Sequence, residues 1–230
     1  MNKIYRVIIF LTLINLPFST NAHVQHYDNL NRIEFDIYRN NKHIGKHTFS
    51  FKRSDGQLAV KSEINFKIKK LGIVLYKYHV NGTEVYKDGK LIKFNSKTNQ
   101  NGKEKYVNLK LENGEYIIDG SSYKGKAPID YLLGTWWDHS IVKAPAQISA
   151  VSGRIIIQEV TFLGKETIKL GNKNYNTLHF NFSSTDKKLV KGKRLNTDVW
   201  YDEKTLYWLK ASFKKKGNWE YKLSSLDKNL

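Results

Sequence analysis

No cysteine occurs anywhere in the 230 residues, and only six of the 39 basic side chains are arginine. The first absence removes any disulfide framework and any thiolate metal site, so the fold must be held by its own core. The second argues against nucleic acid as a partner, because bidentate recognition of phosphates and base edges favours arginine over lysine. Acidic residues are also few, 21 in all, for a formal net charge of +18. Lysine richness beside abundant asparagine and isoleucine is what an AT-rich genome produces by itself. The resulting field would nevertheless attract an anionic envelope surface such as phosphates, lipopolysaccharide or acidic glycans. Three kinds of catalytic signature are missing as well: a nucleophile elbow, a paired-histidine metal motif and a phosphate-cradling glycine loop. No enzyme class and no cofactor is therefore expected.

Long apolar runs are confined to the start of the chain. Lys3 and Arg6 precede an apolar stretch from Val7 to Phe18, and Thr20-Asn21-Ala22 follows it, the pattern of a cleaved secretory signal over residues 1–22. The stretch is too short for a permanent span. No later segment could cross as a helix and no cysteine stands ready for a lipid, so the expected product is a periplasmic protein, or a fully secreted one, that is not integral to the membrane. Residues 23–31 are polar and expected to be flexible. Residues 32–230 show no repeat and no linker and read as one β-rich domain.

What fills that domain is alternation. Leu58, Val60, Ser62, Ile64, Phe66 and Ile68 share one parity, and Lys61, Glu63, Asn65, Lys67 and Lys69 the other, the mark of a strand with a dry face and a wet one. Asp55-Gly56 as a two-residue primed turn places Phe51 opposite Val60 and His47 opposite Ile64. Asn101-Gly102 likewise sets Phe94 against Leu109, and Asn113-Gly114 sets Leu111 against Tyr116. Lys70-Leu71-Gly72 interrupts the rhythm and predicts a bend or bulge. At Asp88-Gly89 a two-residue loop would mix wet and dry faces. A three-residue bulged loop, with Gly82 opposite Phe94 and Glu84 opposite Ile92, restores one apolar face and is the register predicted here.

That register puts Glu84 among Tyr86, Ile92 and Phe94. A bare carboxylate there would cost several kcal/mol, so it must find a donor, with Lys90 or a tyrosine hydroxyl the candidates, or take up a proton. Between Ala127 and Ser149 the period changes. Pro128 followed by Ile129, Leu132, Leu133, Trp136 and Ser140 or Ile141 predicts a short amphipathic helix, or two broken turns, lying over the sheet, with Trp136 and Trp137 bordering what it covers. Strand patterns then resume to Leu223, with turn signals at Gly164, Gly171-Asn172, Asp202-Glu203 and Lys216-Gly217. The expected fold is all-β, a strongly curved antiparallel meander of about ten strands, a partial barrel, with one short helical lid.

Several short runs in order, Tyr76-Lys-Tyr-His79, Asn81-Gly-Thr-Glu84-Val-Tyr86, Asp88-Gly89, Thr98-Asn-Gln-Asn-Gly102, Trp136-Trp137, Asp198-Val-Trp200-Tyr201-Asp202 and Tyr221-Lys-Leu223, resemble exported bacterial proteins grouped as domain of unknown function 6134. The resemblance runs from about Arg32 to Leu223 and implies no assigned activity. More distantly the expected topology is similar to that of periplasmic lipoprotein carriers, where a curved sheet with a lid shelters acyl chains. Two functions follow as expectations. One is a non-catalytic binder of a lipid or other amphiphile on a face built from Phe66, Tyr78, Val80, Glu84, Phe94 and Leu109, with Trp136, Trp137 and Trp200 at its rim. The other is an envelope hydrolase acting on a lipid or glycan through Glu84 and a second carboxylate, Asp138 or Asp202.

Overall fold

A computed structural model describes residues 29–186 and 193–228 together with Tyr27 and Leu189. The leader expected over residues 1–22 lies outside them. The described chain is built around one sheet of fifteen strands. Its first half runs β1 (Leu30–Arg39), β2 (Lys42–Ser54), β3 (Gln57–Lys70), β4 (Ile73–Lys87), β5 (Lys90–Gln100), β6 (Lys103–Glu112), β7 (Glu115–Gly120) and β8 (Lys124–Pro128). The second half runs β9 (Leu132–Leu133), β10 (Ala146–Ile148), β11 (Ile155–Leu170), β12 (Lys173–Ser184), β13 (Asn196–Asp202), β14 (Trp208–Lys214) and β15 (Asn218–Lys228).

Spatially the order starts from the middle. The first and last strands pair with each other, and the two halves meander outward from them to β8 at one edge and β9 at the other. Those edges are consecutive in sequence. The four steps from Pro128 to Leu132 can span at most about 14 Å, so the sheet must curl until its edges nearly meet. A clasp completes the closure: the amide of Ser122 donates to the carbonyl of Ser152 at 2.9 Å, and the hydroxyl of Ser96 to that of Ala150 at 2.6 Å.

In the first half of the sheet six dipeptides with both φ angles positive make the tight hairpins: Asn40-Asn41, Asp55-Gly56, Leu71-Gly72, Asp88-Gly89, Asn101-Gly102 and Asn113-Gly114. By alternation, the turns at 55–56, 88–89 and 113–114 share one end of the barrel, called the base. Those at 40–41, 71–72 and 101–102 share the other, the rim. The pairings predicted from three of these turns are present, including Phe51 with Val60, Phe94 with Leu109 and Leu111 with Tyr116.

Five expectations need correction. The sheet has fifteen strands, not ten. Lys70-Leu71-Gly72 is a full hairpin turn and not a bend, and Gly164 marks a bulge inside the continuous β11 and not a turn. At Asp88-Gly89 the turn has two residues, and the bulge sits one step inside the ladder, so Glu84 faces Phe94 and Gly82 faces Ser96. The bulge restores the parity that the three-residue loop was invoked to restore, by inserting its extra residue in β5. Finally, the helix is absent. Residues 129–145, the segment that crosses from β8 to β10, make one 3-10 turn (His139–Lys143), capped by Asp138, amid turns, bends and the two residues of β9. Trp136 is held at φ 60, outside the helical region, and a Cβ on Gly134 would come within 2.6 Å of the Gln147 side-chain oxygen.

The core lies on the concave face and is aromatic. Phe35, Phe49, Phe94, Trp137, Tyr201 and Trp208 are each sealed from solvent. Tyr27 and Leu30, in the segment expected to be flexible, are sealed too. The guanidinium of Arg53 donates to the carbonyls of both.

Candidate functional site

Glu84 is fully buried near the base end of β4, between Val60 and Phe94 on the neighbouring strands. Its donors come from two directions. The hydroxyl of Tyr86, on the same face of β4, donates at 2.5 Å. The indole of Trp137 on the crossing segment donates to both carboxylate oxygens, at 3.0 and 3.1 Å. Thr135 adds a side-chain hydrogen bond. Even so, burial pushes the Glu84 carboxyl up to about 7, with the donors opposing the rise and the negative charge of Asp138 adding to it. Lys90, one donor expected from the sequence, plays no part; the tyrosine, the other, does.

Trp137 is the hub of an aromatic collar. Tyr27, Phe51 and Tyr86 meet it edge to face, with ring centroids 5.1, 5.4 and 5.6 Å away. The left-handed backbone at Trp136 turns the two adjacent indoles apart: Trp136 packs on Trp208 and donates to Gln147. A buried amide relay then fixes the crossing segment. Gln147 donates to Gln158 at 2.6 Å, and Gln158 donates to the carbonyls of Ile141 and Ala144.

Beneath the collar, at the base, a cavity of about 140 Å³ opens between β4–β7 and the crossing segment. Leu91, Tyr116, Leu132, Leu133 and Ile141 form its apolar wall, and Thr135, Asp138, Ser140 and Lys90 supply polar groups. Glu84 does not line it; Tyr86 and Thr135 stand between. The volume is close to that of cavities that accept a benzene-sized group and well short of the several hundred Å³ that a drug-sized molecule occupies.

The residues named from sequence divide into three groups. Glu84, Phe94, Leu109 and Trp137 belong to one packed cluster, with Trp136 at its side. Phe66 and Tyr78 stack at 4.8 Å near the rim, where Trp219 closes over Phe66, and Val80 is buried on the same strand face. The trough expected along these side chains is thus filled by them and by Tyr27, Tyr207 and Trp208. Trp200 is a correction: its neighbours Val199 and Tyr201 face the core, and it projects from the other side, stacked on His179 at 4.1 Å and donating to Glu166. Of the carboxylates proposed to work with Glu84, Asp202 accepts from the amides of Lys204 and Thr205 as a turn cap. Asp138 caps the 3-10 turn through Ser140 and does reach the cavity. Tyr116 and Thr135 were not singled out from sequence, since nothing local distinguishes them from ordinary strand and loop residues.

A family profile described as Domain of unknown function (DUF6134) matches residues 35–224. The chain belongs to that family. The matched span holds Glu84, Trp137 and every cavity residue, but not Tyr27. Among solved structures, the β-barrel-like protein of domain of unknown function DUF1849 from Brucella abortus is similar in fold, with a TM-score of 0.61 at 12% identity over 88% of this chain and 98% of that one. No curated protein matches. Among the described residues of this DUF6134 protein, no three His, Asp or Glu side chains gather as a metal ion would require, and no helix is long and apolar enough to cross a membrane.

Proposed function

We propose that this DUF6134 protein is exported to the periplasm and binds an amphiphilic, lipid-like molecule without transforming it. The single observation that carries the reading is the base cavity, apolar on one wall, with Lys90 at its edge. A molecule with an anionic head and an apolar end matches that pairing. The volume restricts what enters to the end of such a molecule, so the barrel grips a terminal group and does not swallow an acyl chain. Glu84, walled off by Tyr86 and Thr135, contributes by fixing Trp137 and the crossing segment that forms one side of the cavity, and not by touching the ligand.

Fluorescent fatty acid titration, paired with native mass spectrometry of protein purified from its own envelope, tests this. Binding should be saturable in the wild type and at least tenfold weaker in Ser140→Trp, whose indole would fill the cavity. Absence of both a co-purifying amphiphile and fatty acid binding would overturn the reading. Equal binding by Ser140→Trp would remove the cavity from it.

A further inference from the structure

The β3–β4 hairpin outruns the rest of the sheet. β2 last faces β3 at Gly45 opposite Phe66, and β5 last faces β4 at Gln100 opposite Tyr78. From Ile68 to Tyr76 the two strands pair only with each other, a two-stranded finger standing at the rim. Four of the eight large apolar side chains exposed among the described residues sit at its tip: Leu71 (93% exposed), Ile73 (66%), Val74 and Leu75. Val74 pairs with Lys69 and Ile73 with Lys70. Successive strand positions point to opposite faces, so apolar surface wraps both sides of the tip. Burial of one face on a protein partner would leave the other wet, whereas a lipid medium surrounds both.

The charges agree. Lys69 and Lys70 flank the apolar tip, opposite Val74 and Ile73, Lys67 and Lys77 stand below it, and none of the four forms an ion pair among the described residues. Lys67 and Lys77 are directly cross-strand, a like-charge pairing that repels until an anion lies between. The rim behind them is also cationic: burial, followed by the positive charges of Arg154, Lys105 and Lys216, pushes the Lys215 ammonium below its ordinary value. Leu71 is held at φ 48 in the turn, where asparagine or glycine would be at ease. An exposed leucine in a left-handed position is poor for folding in water and well placed for entry into hydrocarbon.

We infer that the β3–β4 finger inserts its tip into an anionic lipid surface, Leu71 to Leu75 entering the acyl boundary and the four lysines resting among the phosphates. The three residues from Ile68 to Leu71 reach about 10 Å at roughly 3.3 Å each, which matches the depth of about 5–10 Å at which interfacial apolar segments settle. Lysine stems snorkel to the headgroups from there. This docking surface is at the opposite end of the barrel from the base cavity and stands whether or not that cavity binds an amphiphile.

The test is co-sedimentation of the full chain, expressed with its own leader and recovered as processed, with vesicles of phosphatidylglycerol and phosphatidylethanolamine, against vesicles of phosphatidylcholine alone. The anionic vesicles should bind at least tenfold more protein at low salt, with the difference closing as salt rises. Leu71→Asn with Leu75→Ser, exposed positions outside the core, should lose most of that binding, and Lys69→Glu with Lys70→Glu should lose it and its salt dependence. Because the chain has no cysteine, a polarity-sensitive dye on Leu71→Cys reports insertion by a blue shift that the same dye on Glu112→Cys, at the base, should not show. Equal sedimentation with both vesicle types, or undiminished binding by the tip variant, overturns the inference. So does a tip-dependent dimer in sedimentation velocity without vesicle binding, which would assign the finger to a second copy of the chain.

Discussion

The indole nitrogen of Trp137 lies 3.0 and 3.1 Å from the two carboxylate oxygens of Glu84, a residue 53 positions earlier in the chain. One donor shared between two acceptors ties the crossing segment to the base end of β4. Trp137→Phe keeps most of the ring packing and removes the donor. We expect a loss of about 2–4 kcal/mol at pH 8, where the carboxyl is charged, and about half of that at pH 5, where it is not. Urea denaturation at the two pH values measures the difference, and an equal loss at both would show that the indole's packing, not its hydrogen bond, matters.

Two buried groups pull stability in opposite directions with pH. Burial holds the His47 imidazole down at about 3, so below its ordinary 6.5 the unfolded chain takes up a proton that the folded chain refuses, and stability falls as pH falls. The Glu84 carboxyl is raised from 4.5 to about 7, so between those values the folded chain keeps a proton that the unfolded chain gives up, and stability falls as pH rises. Each slope approaches 1.4 kcal/mol per pH unit, and they oppose each other over about pH 4.5–6.5. Glu84→Gln removes only the second. Relative to that variant, the wild type should gain about 3 kcal/mol as pH is lowered from 7.5 to 4.5, read from denaturation midpoints across the range.

Gly120 seats the clasp that closes the sheet. A Cβ there would approach the carbonyl oxygen of Ser152 to 2.6 Å, and neither partner is a side-chain end that could swing away. Gly120→Ala should cost about 2–3 kcal/mol and speed amide exchange at Ser122, whose hydrogen bond to Ser152 would lengthen. Hydrogen exchange localises the effect. Unchanged protection at Ser122 would mean that the edges are held by other contacts.

Leu71→Asn should stabilise the protein by about 0.5–1 kcal/mol, since asparagine tolerates the left-handed region that leucine resists. The same change weakens vesicle binding if the finger enters lipid. A variant that is more stable in thermal unfolding yet poorer at sedimenting with anionic vesicles would separate the two demands on that position.

Much of the fold was legible in single strands. Alternation from Leu58 to Ile68 and the Asp-Gly and Asn-Gly turns set the facing pairs of β2 with β3, of β5 with β6 and of β6 with β7, because a two-residue primed turn leaves one register and the side-chain period of two leaves one dry face. The family resemblance was legible for a similar reason, in the order of short turn-and-strand runs. Glu84 could be placed on the dry face by parity alone, although the bulge that put it there sits in β5 and not in the loop.

The misread segments are those whose conformation is imposed from a distance. Lys70-Leu71-Gly72 reads in sequence as a break in the apolar rhythm, a bend or bulge, because leucine is a poor turn residue, and residues 129–145 read as a helix or broken turns because apolar spacing of three and four also arises when an irregular strap touches a core at intervals. That strap is held out of a helix by Gln147, just beyond its end, and by Gln158 and Tyr201 farther along the chain. Local chemistry determined which side chains turn inward along each strand. Only the closure of the sheet decided that they fill the interior and leave a small cavity at the base rather than a trough, and that Trp137 completes Glu84, because volume and long-range hydrogen bonding are properties of the assembled barrel and not of any strand in it.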